Sequence, residues 1–457
     1  MVHLGEAIAR YHELFEGAGY RDLAWAEALQ ERMRDERLTE SGRLLAPVLR
    51  PQFISRKQLD RLTDAAQRIS AIAGQVAEFA LASPALLNRL KLLPAEKMLA
   101  ADAPGGSRFP VMSRLETLAE NGSVSVLGLD GCNPAALACS ERIADLFLEL
   151  PIVKEFKRGK YRLSKPGGST GLQAAIQEAW KKFGGRGQPH VAIIESEGDS
   201  AGSDAARQLL LSTGNSTRLV SPDQLTYEGR KLRAGDFAID VALRCVSTRD
   251  LLIRFGLSHP LFAASRDGAV CLVNSFRSEI VRRRAMFELL TDEAIGARLA
   301  TADRKLIRAV VPWTRVVFRR KTAYEDRQVD LLEFIAGNRE KLVLRPNEDM
   351  GGEAVFTGAA MTQPAWERVI RTALQSPYVV QETALRAREP FPVYQYGEFQ
   401  MREVEVSVHP GLLNGRVQGA SAALQMPSAT GSSLIGTAPV LLLENLDAES
   451  KTPSRRS

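Results

Sequence analysis

The segment KLVLRPNEDMGGEAVFTG carries residue types that could bind a triphosphate and its metal ion. Arg345 ends a predicted strand, where its guanidinium could reach phosphate oxygens, and Gly351 and Gly352 would let backbone N–H groups approach them. Glu348 and Asp349 lie between, where carboxylates could hold Mg²⁺ against the same phosphates. On spacing alone, a β-hairpin with a glycine turn and a surface acidic pair is the more common explanation of this pattern.

A second segment, SPYVVQET, follows the first and has the composition of a buried strand. Val379 and Val380 could line an adenine ring, and Gln381 and Glu382 could contact the nucleotide. An ordinary core strand would have the same composition, because β-branched residues favour strands in general. The two segments together form one candidate nucleotide site, with a hairpin and a core strand as the alternative.

The stretch Gly167–Gly171 matches G-x-S-x-G, which in α/β-hydrolases exposes a nucleophilic serine, here Ser169. That motif requires a buried strand immediately before it. The preceding residues, RGKYRLSKP, are polar and include Pro166. A glycine loop whose serine or threonine caps the following helix is therefore the favoured interpretation.

The positive charge of the chain is local. Its net charge is +6, and residues 273–327 alone contain 13 Lys/Arg and 7 Asp/Glu, which accounts for the whole excess. Arg282, Arg283 and Arg284 cannot all face one side of a helix, so at least one is expected at a solvated surface. Arg315 and the run 319–321 precede the phosphate-binding candidate. Without interleaved aromatics or a nucleic-acid module, the charge indicates a nearby polyphosphate or a solvated face rather than nucleic acid.

Several other classes are excluded by composition. The four cysteines have no C-x-x-C spacing and the five histidines no H-E-x-x-H spacing, so neither a disulfide scaffold nor a zinc site is expected. Charged residues interrupt the N-terminus where a signal peptide needs an apolar run. Since no stretch is long and apolar enough to cross a membrane, the sequence predicts a cytoplasmic protein without membrane contact.

The elements that must position these residues are of the α/β class. The first hundred residues have helical periodicity, residues 113–131 predict a hairpin, and strands alternate with helices from Val191, which predicts a parallel sheet. A long basic helix, RSEIVRRRAMFELL, should leave that unit. The predicted domains are a helical region (1–110), a hairpin with helices (111–185), an α/β domain (186–290), a nucleotide-binding domain (291–448) and a disordered tail (449–457).

From Trp313 to Glu382 the chain resembles the circularly permuted ATP-grasp proteins, the bacterial group related to glutathionylspermidine synthase and eukaryotic glutathione synthetase. The likeness extends to further segments in the same order: ARYHELF, GRLLAPVLRPQFIS, MSRLETLAENGSVSV, ERIADLFLELPIVKEF, IDVALRCV, AVCLVNSFRSE and VPWTRVV. It implies an N-terminal helical region, a Rossmann-like pre-ATP-grasp domain and an ATP-grasp fold that holds the nucleotide between two β-layers.

The resemblance also implies a chemistry: ATP converts a carboxylate into an acyl phosphate, and an amine displaces the phosphate to form an amide. In such a reaction the protein accelerates phosphoryl transfer mainly through cationic side chains, Mg²⁺ and the positioning of the reactants. The implied nucleotide contacts are Lys321, Arg345, Gly351, Gly352, Val380, Gln381 and Glu382. The implied metal ligands are Glu348, Asp349 and Asp130. The implied substrate and catalytic positions are Arg114, Arg244, Asn274 and Ser275, with Arg345.

Four departures from the family pattern qualify this expectation. Arg345 stands where a lysine is usual, and the Glu-x-Asn metal motif is replaced by Gly128-Leu129-Asp130. Cys245 replaces a second arginine, and Ala423 replaces an arginine that precedes a triple-glycine stretch, itself missing here. The expected function is therefore a carboxylate–amine ligase of weak or altered activity. The alternative is an inactive homologue that serves as a scaffold or partner subunit.

Overall fold

The computed structural model describes residues 3–17, 19–40, 42–102, 110–120, 123–131, 136–167, 171–196, 201–348, 355–384, 388–428 and 431–446. Its first elements are α1 (Leu4–Glu16), α2 (Ala24–Asp35), β1 (Thr39–Glu40), β2 (Arg43–Leu44), β3 (Gln52–Ile54), α3 (Arg56–Leu81), α4 (Pro84–Arg89) and α5 (Pro94–Ala101). Helix α3 begins at a capping box formed by Ser55 and Gln58, and its apolar stripe is buried in the main core. The prediction of a mainly helical N-terminal part is confirmed.

The next elements are β4 (Met112–Glu120), β5 (Ser123–Asp130), α6 (Ala136–Glu149), α7 (Pro151–Lys157), β6 (Tyr161–Ser164) and α8 (Gly171–Phe183). Strands β4 and β5 form the predicted antiparallel hairpin, in which Arg114 is opposite Asp130. Directly opposite residues project from the same face of a sheet, so the hairpin brings these two predicted site residues together. Ser169 lies outside the described residues.

A four-stranded parallel sheet follows, as predicted. The elements are β7 (Val191–Ile194), α9 (Ala201–Ser212), β8 (Thr217–Val220), β9 (Leu225–Glu228), β10 (Lys231–Ala234), β11 (Phe237–Ala238), β12 (Val241–Arg244), α10 (Thr248–Phe255), α11 (Pro260–Arg266) and β13 (Cys271–Val273). The parallel strands run in the order β13-β12-β7-β8, and β9–β11 form a separate antiparallel sheet. Strands β7, β12 and β13 are buried along their length, as expected for a sheet covered on both faces.

The predicted long basic helix is wrong. The chain forms two short helices, α12 (Ser278–Arg282) and α13 (Ala285–Leu290), followed by α14 (Glu293–Gly296) and α15 (Thr301–Val310). Arg283 interrupts the helical path with an extended backbone (φ −68°, ψ 131°). The interruption changes the direction in which the neighbouring side chains project.

A smaller antiparallel sheet contains the two segments singled out in the sequence. Its region comprises β14 (Thr314–Val316), β15 (Lys321–Tyr324), β16 (Arg327–Asp330), α16 (Leu331–Gly337), β17 (Leu342–Pro346), β18 (Phe356–Thr357), α17 (Gln363–Ala373) and β19 (Tyr378–Glu382). The small sheet has the order β14-β19-β17-β18, whereas β15 and β16 form a separate hairpin. One face of the small sheet packs on α16 and α17 around the buried Trp366.

The large sheet is built from both parts of the chain. The last strands are β20 (Arg388–Gln395), β21 (Glu398–Leu413), β22 (Arg416–Ser428) and β23 (Gly431–Asn445). They join the earlier strands in the order β3-β23-β22-β21-β4-β5, with β20 beside β21 and β6 beside β23. Asn414 and Gly415, both at positive φ, form the predicted turn between β21 and β22. None of the helices described has the length and apolar character needed to cross a membrane.

Candidate functional site

Arg345 connects the small sheet to the large one. It alternates along β17 with Leu342 and Leu344, which pack on the helices, so its side chain projects from the opposite face. There its Nη2 donates to both carboxylate oxygens of Glu116 on β4, at 2.7 and 2.6 Å. Its Nη1 donates weakly to Gln381 (3.4 Å). The predicted phosphate contact therefore lies between the two β-layers.

Glu116 is a site residue that the sequence interpretation missed. It is opposite Gly128 of β5, and a Cβ at position 128 would lie 3.2 Å from a Glu116 carboxylate oxygen. Burial alone would raise the pKa of Glu116, but the guanidinium groups of Arg345 and Arg284 outweigh burial and lower the pKa to about 2. The available signal was the glycine at 128, which leaves room for a carboxylate on the neighbouring strand.

All three arginines of the run 282–284 contact carboxylates, which contradicts the expected solvated surface position. Arg282 donates to Glu348 at 2.8 Å. Arg283 donates to Glu96 at 2.6 Å and forms a second ion pair with Glu348. Arg284 lies 3.8 Å from Glu116. The physical reason is the break at Arg283, because three consecutive residues of an unbroken helix would project about 100° apart.

The two described residues assigned to the metal are already in ion pairs. Glu348 is buried and accepts from Arg282, Arg283 and Arg249, the last at 3.4 Å. Asp130 lies 3.6 Å from Arg114 and 3.9 Å from the Nε of Arg282. Arg282 thus contacts both carboxylates. Asp349, Gly351 and Gly352 lie outside the described residues.

Glu348 also belongs to a buried group of three carboxylates. Among the described residues, carboxylate oxygens of Glu96, Glu279 and Glu348 lie within 4.8 Å of one another. Burial favours the neutral form of Glu279, yet Arg244, Arg282 and Arg283 together lower its pKa to about 2. For Glu96 burial prevails and raises the pKa, despite the adjacent Arg283.

The predicted substrate residues occupy the junction between the parallel sheet and β4. Arg244 is fully buried, donates to the carbonyl oxygen of Asn274 (3.2 Å) and the hydroxyl of Ser278 (3.1 Å), and pairs with Glu279 at 3.3 Å. The Asn274 side chain bonds the N–H (2.9 Å) and C=O (2.7 Å) of Met112, so it fixes the start of β4. Ser275 follows it and is half-buried.

The structure also gives the positions of two residues that depart from the family pattern, Cys245 and Ala423. Cys245 is half-buried at the end of β12, next to Arg244, and Ala423 is buried on β22. The catalytic and substrate roles of Arg114, Arg244, Asn274 and Ser275 stay predictions. The two arginines differ in their surroundings. Arg114 is exposed beside Asp130, whereas Arg244 is buried and its N–H groups donate to protein atoms.

An open cavity lies at the other end of the small sheet. Its volume is about 380 Å³. The residues that line it include Ser125, Arg308, Pro312, Lys341, Glu382 and Thr383. Glu382 accepts a hydrogen bond from the hydroxyl of Tyr324 (2.7 Å), and burial together with this carboxylate raises the pKa of Tyr324. The sequence interpretation included Glu382 but missed Arg308 and Lys341, which no local pattern distinguishes from surface cations.

The other predicted nucleotide contacts are placed differently. Val380 is fully buried and packs with Leu344 on the helix side of the small sheet. Gln381 is buried and its amide donates to the hydroxyl of Thr314 (3.0 Å). Lys321 is exposed at the start of β15. Their roles as nucleotide contacts stay predictions.

Among the described residues, ion pairs join the charged side chains between the sheets into two groups, one around Glu116 and one around Glu348, which we together call the arginine cluster. It consists of Arg114, Arg244, Arg249, Arg282, Arg283, Arg284, Arg345, Glu96, Glu116, Asp130, Glu279 and Glu348. Its seven arginines exceed its five carboxylates by two positive charges. The Nε groups of Arg283 and Arg345 are buried without an acceptor among the described residues.

These features fit a polyphosphate and do not fit Mg²⁺ equally well. Excess positive charge and unbonded guanidinium donors suit phosphate oxygens. A magnesium ion instead needs several free oxygen ligands in near-octahedral geometry. Asp130 and Glu348, the two assigned ligands that the structure describes, each have arginine partners. A metal ion bound by them would have to displace these arginines, and their role as metal ligands stays a prediction.

Comparison with known proteins gives a result at the level of the fold. No protein-family model matches the sequence, and no curated protein matches it. Among solved structures, the glutathione synthetase-like effector GSS30 from Globodera pallida, in its apo form, aligns with a TM-score of 0.58 at 12% identity, over 92% of this chain and 96% of that chain.

Two other structures are more distant. A putative gamma-glutamylcysteine synthetase from Methylobacillus flagellatus KT gives a TM-score of 0.41 at 9% identity, over 84% and 87% of the two chains. A RimK domain ATP-grasp protein from Sphaerobacter thermophilus DSM 20745 gives 0.28 at 17%, over 55% and 90%. The alignment with GSS30 spans nearly all of both chains, and it shows that this chain has a fold similar to that of this glutathione synthetase-like protein.

Proposed function

We propose that this chain is an ATP-grasp ligase-like protein, which binds ATP between its small and large sheets and joins a carboxylate to an amine. The observation that carries this proposal is the position of the arginine cluster. It lies where the two β-layers face each other and has an excess of positive charge. Its location at the end of β17 is where the sequence places the phosphate contact.

The separation of the cluster from the cavity suits a nucleotide. Leu342 is opposite Glu382 at the cavity, and Arg345 lies three residues further along β17. At about 3.4 Å per residue, the two ends are roughly 10 Å apart, comparable to the length from a base to its phosphates. Because Arg345 projects from the face opposite to Leu342 and Glu382, a nucleotide would have to pass the end of the small sheet beside Ser125 of β5 to reach both. A volume of about 380 Å³ is within the range of small-ligand sites. The cavity would then take the base and the arginine cluster the phosphates.

Base selection would fall to Glu382. Its carboxylate accepts from Tyr324 and from the backbone N–H of Trp313, and it retains further lone pairs. A carboxylate accepts from the amino group of adenine, whereas it repels the carbonyl oxygen that guanine has at the same position. The protein should therefore prefer ATP to GTP.

Bound ATP would supply a transferable phosphoryl group that activates a carboxylate. The chain's own part is to hold the phosphates and to exclude water. Because Arg345 contacts Glu116 across the two layers, its guanidinium must exchange this carboxylate for phosphate oxygens when the nucleotide enters. The ion pair between the layers therefore competes with nucleotide binding.

The topology supports the finer family assignment. The large sheet combines β3–β6 with β20–β23, and the small sheet lies between them in the chain. This is the arrangement that a circular permutation of an ATP-grasp chain would produce. We therefore propose the permuted assignment, with the domain boundaries given from the sequence.

The second candidate is a scaffold or partner subunit without catalysis. It is favoured by the arginine partners of Asp130 and Glu348 and by the uncharged Ala423 on β22. The two candidates differ in turnover. A ligase releases ADP and phosphate when a suitable acid and amine are present, whereas a scaffold binds ATP without releasing either.

Calorimetric titration with ATP tests the shared first step. We expect binding by the natural protein and a loss of roughly ten- to a hundredfold in Arg345→Ala, since a charge-assisted hydrogen bond contributes about 1.5–3 kcal/mol. Arg371→Ala, on the exposed side of α17, is the matched control and should bind normally.

Because Arg345→Ala leaves Glu116 without its main partner, Arg345→Ala combined with Glu116→Gln separates lost binding from lost folding. Equal affinity for ATP in the natural protein and both variants would show that the phosphates do not bind at Arg345. Absence of ATP binding by the folded natural protein would reject the ligase proposal.

A further inference from the structure

Arg282 lies between the two described carboxylates that the sequence assigns to a metal. Its Nη1 donates to Glu348 at 2.8 Å, and its Nε lies 3.9 Å from Asp130. One guanidinium thus contacts both of the oxygen groups that a magnesium ion would need. The break that follows α12 at Arg283 leaves Arg282 and Arg283 both in contact with Glu348.

We infer that arginine guanidinium groups, Arg282 foremost, take the place of the divalent cation, so that the arginine cluster binds nucleotide phosphates without magnesium. The inference rests on the proposed ATP site. It extends that proposal, because it states which form of the nucleotide is bound.

Arg282 is held in place by buried groups and is not a mobile surface residue. Its side chain is 12% exposed and also pairs with Glu279 at 3.3 Å, one turn back on α12. Glu279 is in turn fixed by the hydroxyl of Thr248 (2.6 Å) and by Arg244. A guanidinium held from two sides keeps its position between Asp130 and Glu348.

A metal ion would have to displace this guanidinium. Asp130 and Glu348 could then coordinate the ion at about 2.0–2.1 Å. The displaced Arg282 would remain near a divalent cation in a partly buried site, where like charges repel strongly. Since arginine stays protonated, it cannot relieve this repulsion by losing its charge. The cluster therefore disfavours the metal that its carboxylates would otherwise attract.

The cluster still has charge available for phosphates. Arg114 and Arg249 are 45% and 40% exposed, and each pairs with a carboxylate that also contacts Arg282. Free ATP is more negatively charged than its magnesium complex. A site with two excess positive charges should therefore bind free ATP at least as tightly as the complex.

The first test compares ATP titrations of the natural protein with Mg²⁺ and with EDTA. We expect affinities within about threefold of each other, or tighter binding in EDTA. A loss of tenfold or more in EDTA would overturn the inference and leave the proposed ATP site intact. Failure to bind in either condition would reject both.

The second test measures Mn²⁺ binding by electron paramagnetic resonance, without nucleotide. The natural protein should bind no Mn²⁺ at micromolar concentrations, whereas Arg282→Ala should bind it because the guanidinium that contacts both Asp130 and Glu348 is removed. Arg282→Lys keeps a positive charge between the carboxylates and should behave like the natural protein. Arg371→Ala is again the matched control.

The outcomes separate clearly. Tight Mn²⁺ binding by the natural protein, or none by folded Arg282→Ala, would contradict the role of Arg282. If Arg282→Ala does not fold, as circular dichroism would show, the comparison of the natural protein in Mg²⁺ and EDTA still decides the inference.

Discussion

Two runs of three cations, residues 282–284 and 319–321, are alike in sequence and different in structure. The side chains of Arg282, Arg283 and Arg284 are no more than 12% exposed, and each has a carboxylate partner. In the second run, Arg319 and Lys321 are exposed, and within the described ranges only Arg320 has an ion pair, with Glu288. The first run is held by carboxylates inside the arginine cluster, whereas Arg319 and Lys321 of the second run are exposed to solvent.

The difference comes from where the carboxylates are in the chain. The partners of the first run come from α5 (Glu96), β4 (Glu116), α12 (Glu279) and the end of β17 (Glu348). Three segments distant in sequence thus converge on three consecutive residues, and α12 itself contributes Glu279. A run of cations does not by itself indicate a ligand, because carboxylates from elsewhere in the fold can neutralise part of its charge. The two runs should therefore respond differently to substitution.

The largest expected effect is in the first run. Arg283→Ala leaves Glu96 and Glu348 with a lost partner in a buried site, and breaking a buried ion pair in this way costs about 3–5 kcal/mol. Urea denaturation measures the free energy of unfolding. Arg319→Ala is the control from the second run and should change it by less than about 0.5 kcal/mol. Similar free energies of unfolding for Arg283→Ala and Arg319→Ala would show that the two runs do not differ in their contribution to stability.

The sequence was sufficient for the elements with strong local patterns. Strands β17 and β19, helix α17, the parallel strands and the Asn414-Gly415 turn all follow from periodicity or turn chemistry. The break at Arg283 does not, because no proline or glycine marks it and its neighbours are good helix formers. Its cause lies in carboxylates from distant segments, and single-sequence patterns do not contain that information.

The candidate site was predictable only in part for a related reason. The alternation of side chains along β17 and β19 was readable, and Leu344 is opposite Val380 while Val343 is opposite Gln381. Assigning Val380 and Gln381 to one ligand therefore overlooked that adjacent residues face opposite sides. Glu116 required the pairing of β4 with β5 and their approach to β17, which only the folded chain shows.

The second prediction concerns acid stability and the carboxylates of the first run. The pKa of Glu279 falls from an ordinary 4.5 to about 2 in the folded state, so its contribution to stability is complete above pH 4.5 and is lost as the pH falls towards 2. The contribution is at most about 3–4 kcal/mol, since one pKa unit corresponds to about 1.4 kcal/mol. Glu96, whose pKa is raised, acts in the opposite direction.

Urea denaturation between about pH 5 and pH 2 measures this dependence. Glu279→Gln keeps the shape and should flatten the curve in that interval. Arg319→Ala, from the second run, should leave the slope unchanged. An unaltered slope in Glu279→Gln would mean that the first run does not stabilise the ionised carboxylate.

The smallest expected effect concerns the second run and affects binding without affecting stability. If Lys321 contacts a phosphate, Lys321→Ala should weaken ATP binding by about tenfold, or about 1.4 kcal/mol. Its free energy of unfolding should stay within about 0.5 kcal/mol of the natural protein, because the side chain is exposed. Lys321→Arg keeps the charge and should recover most of the affinity, which calorimetry would measure. Normal ATP binding by Lys321→Ala would instead assign all of the phosphate contacts to the arginine cluster, and the second run would then be a solvated surface.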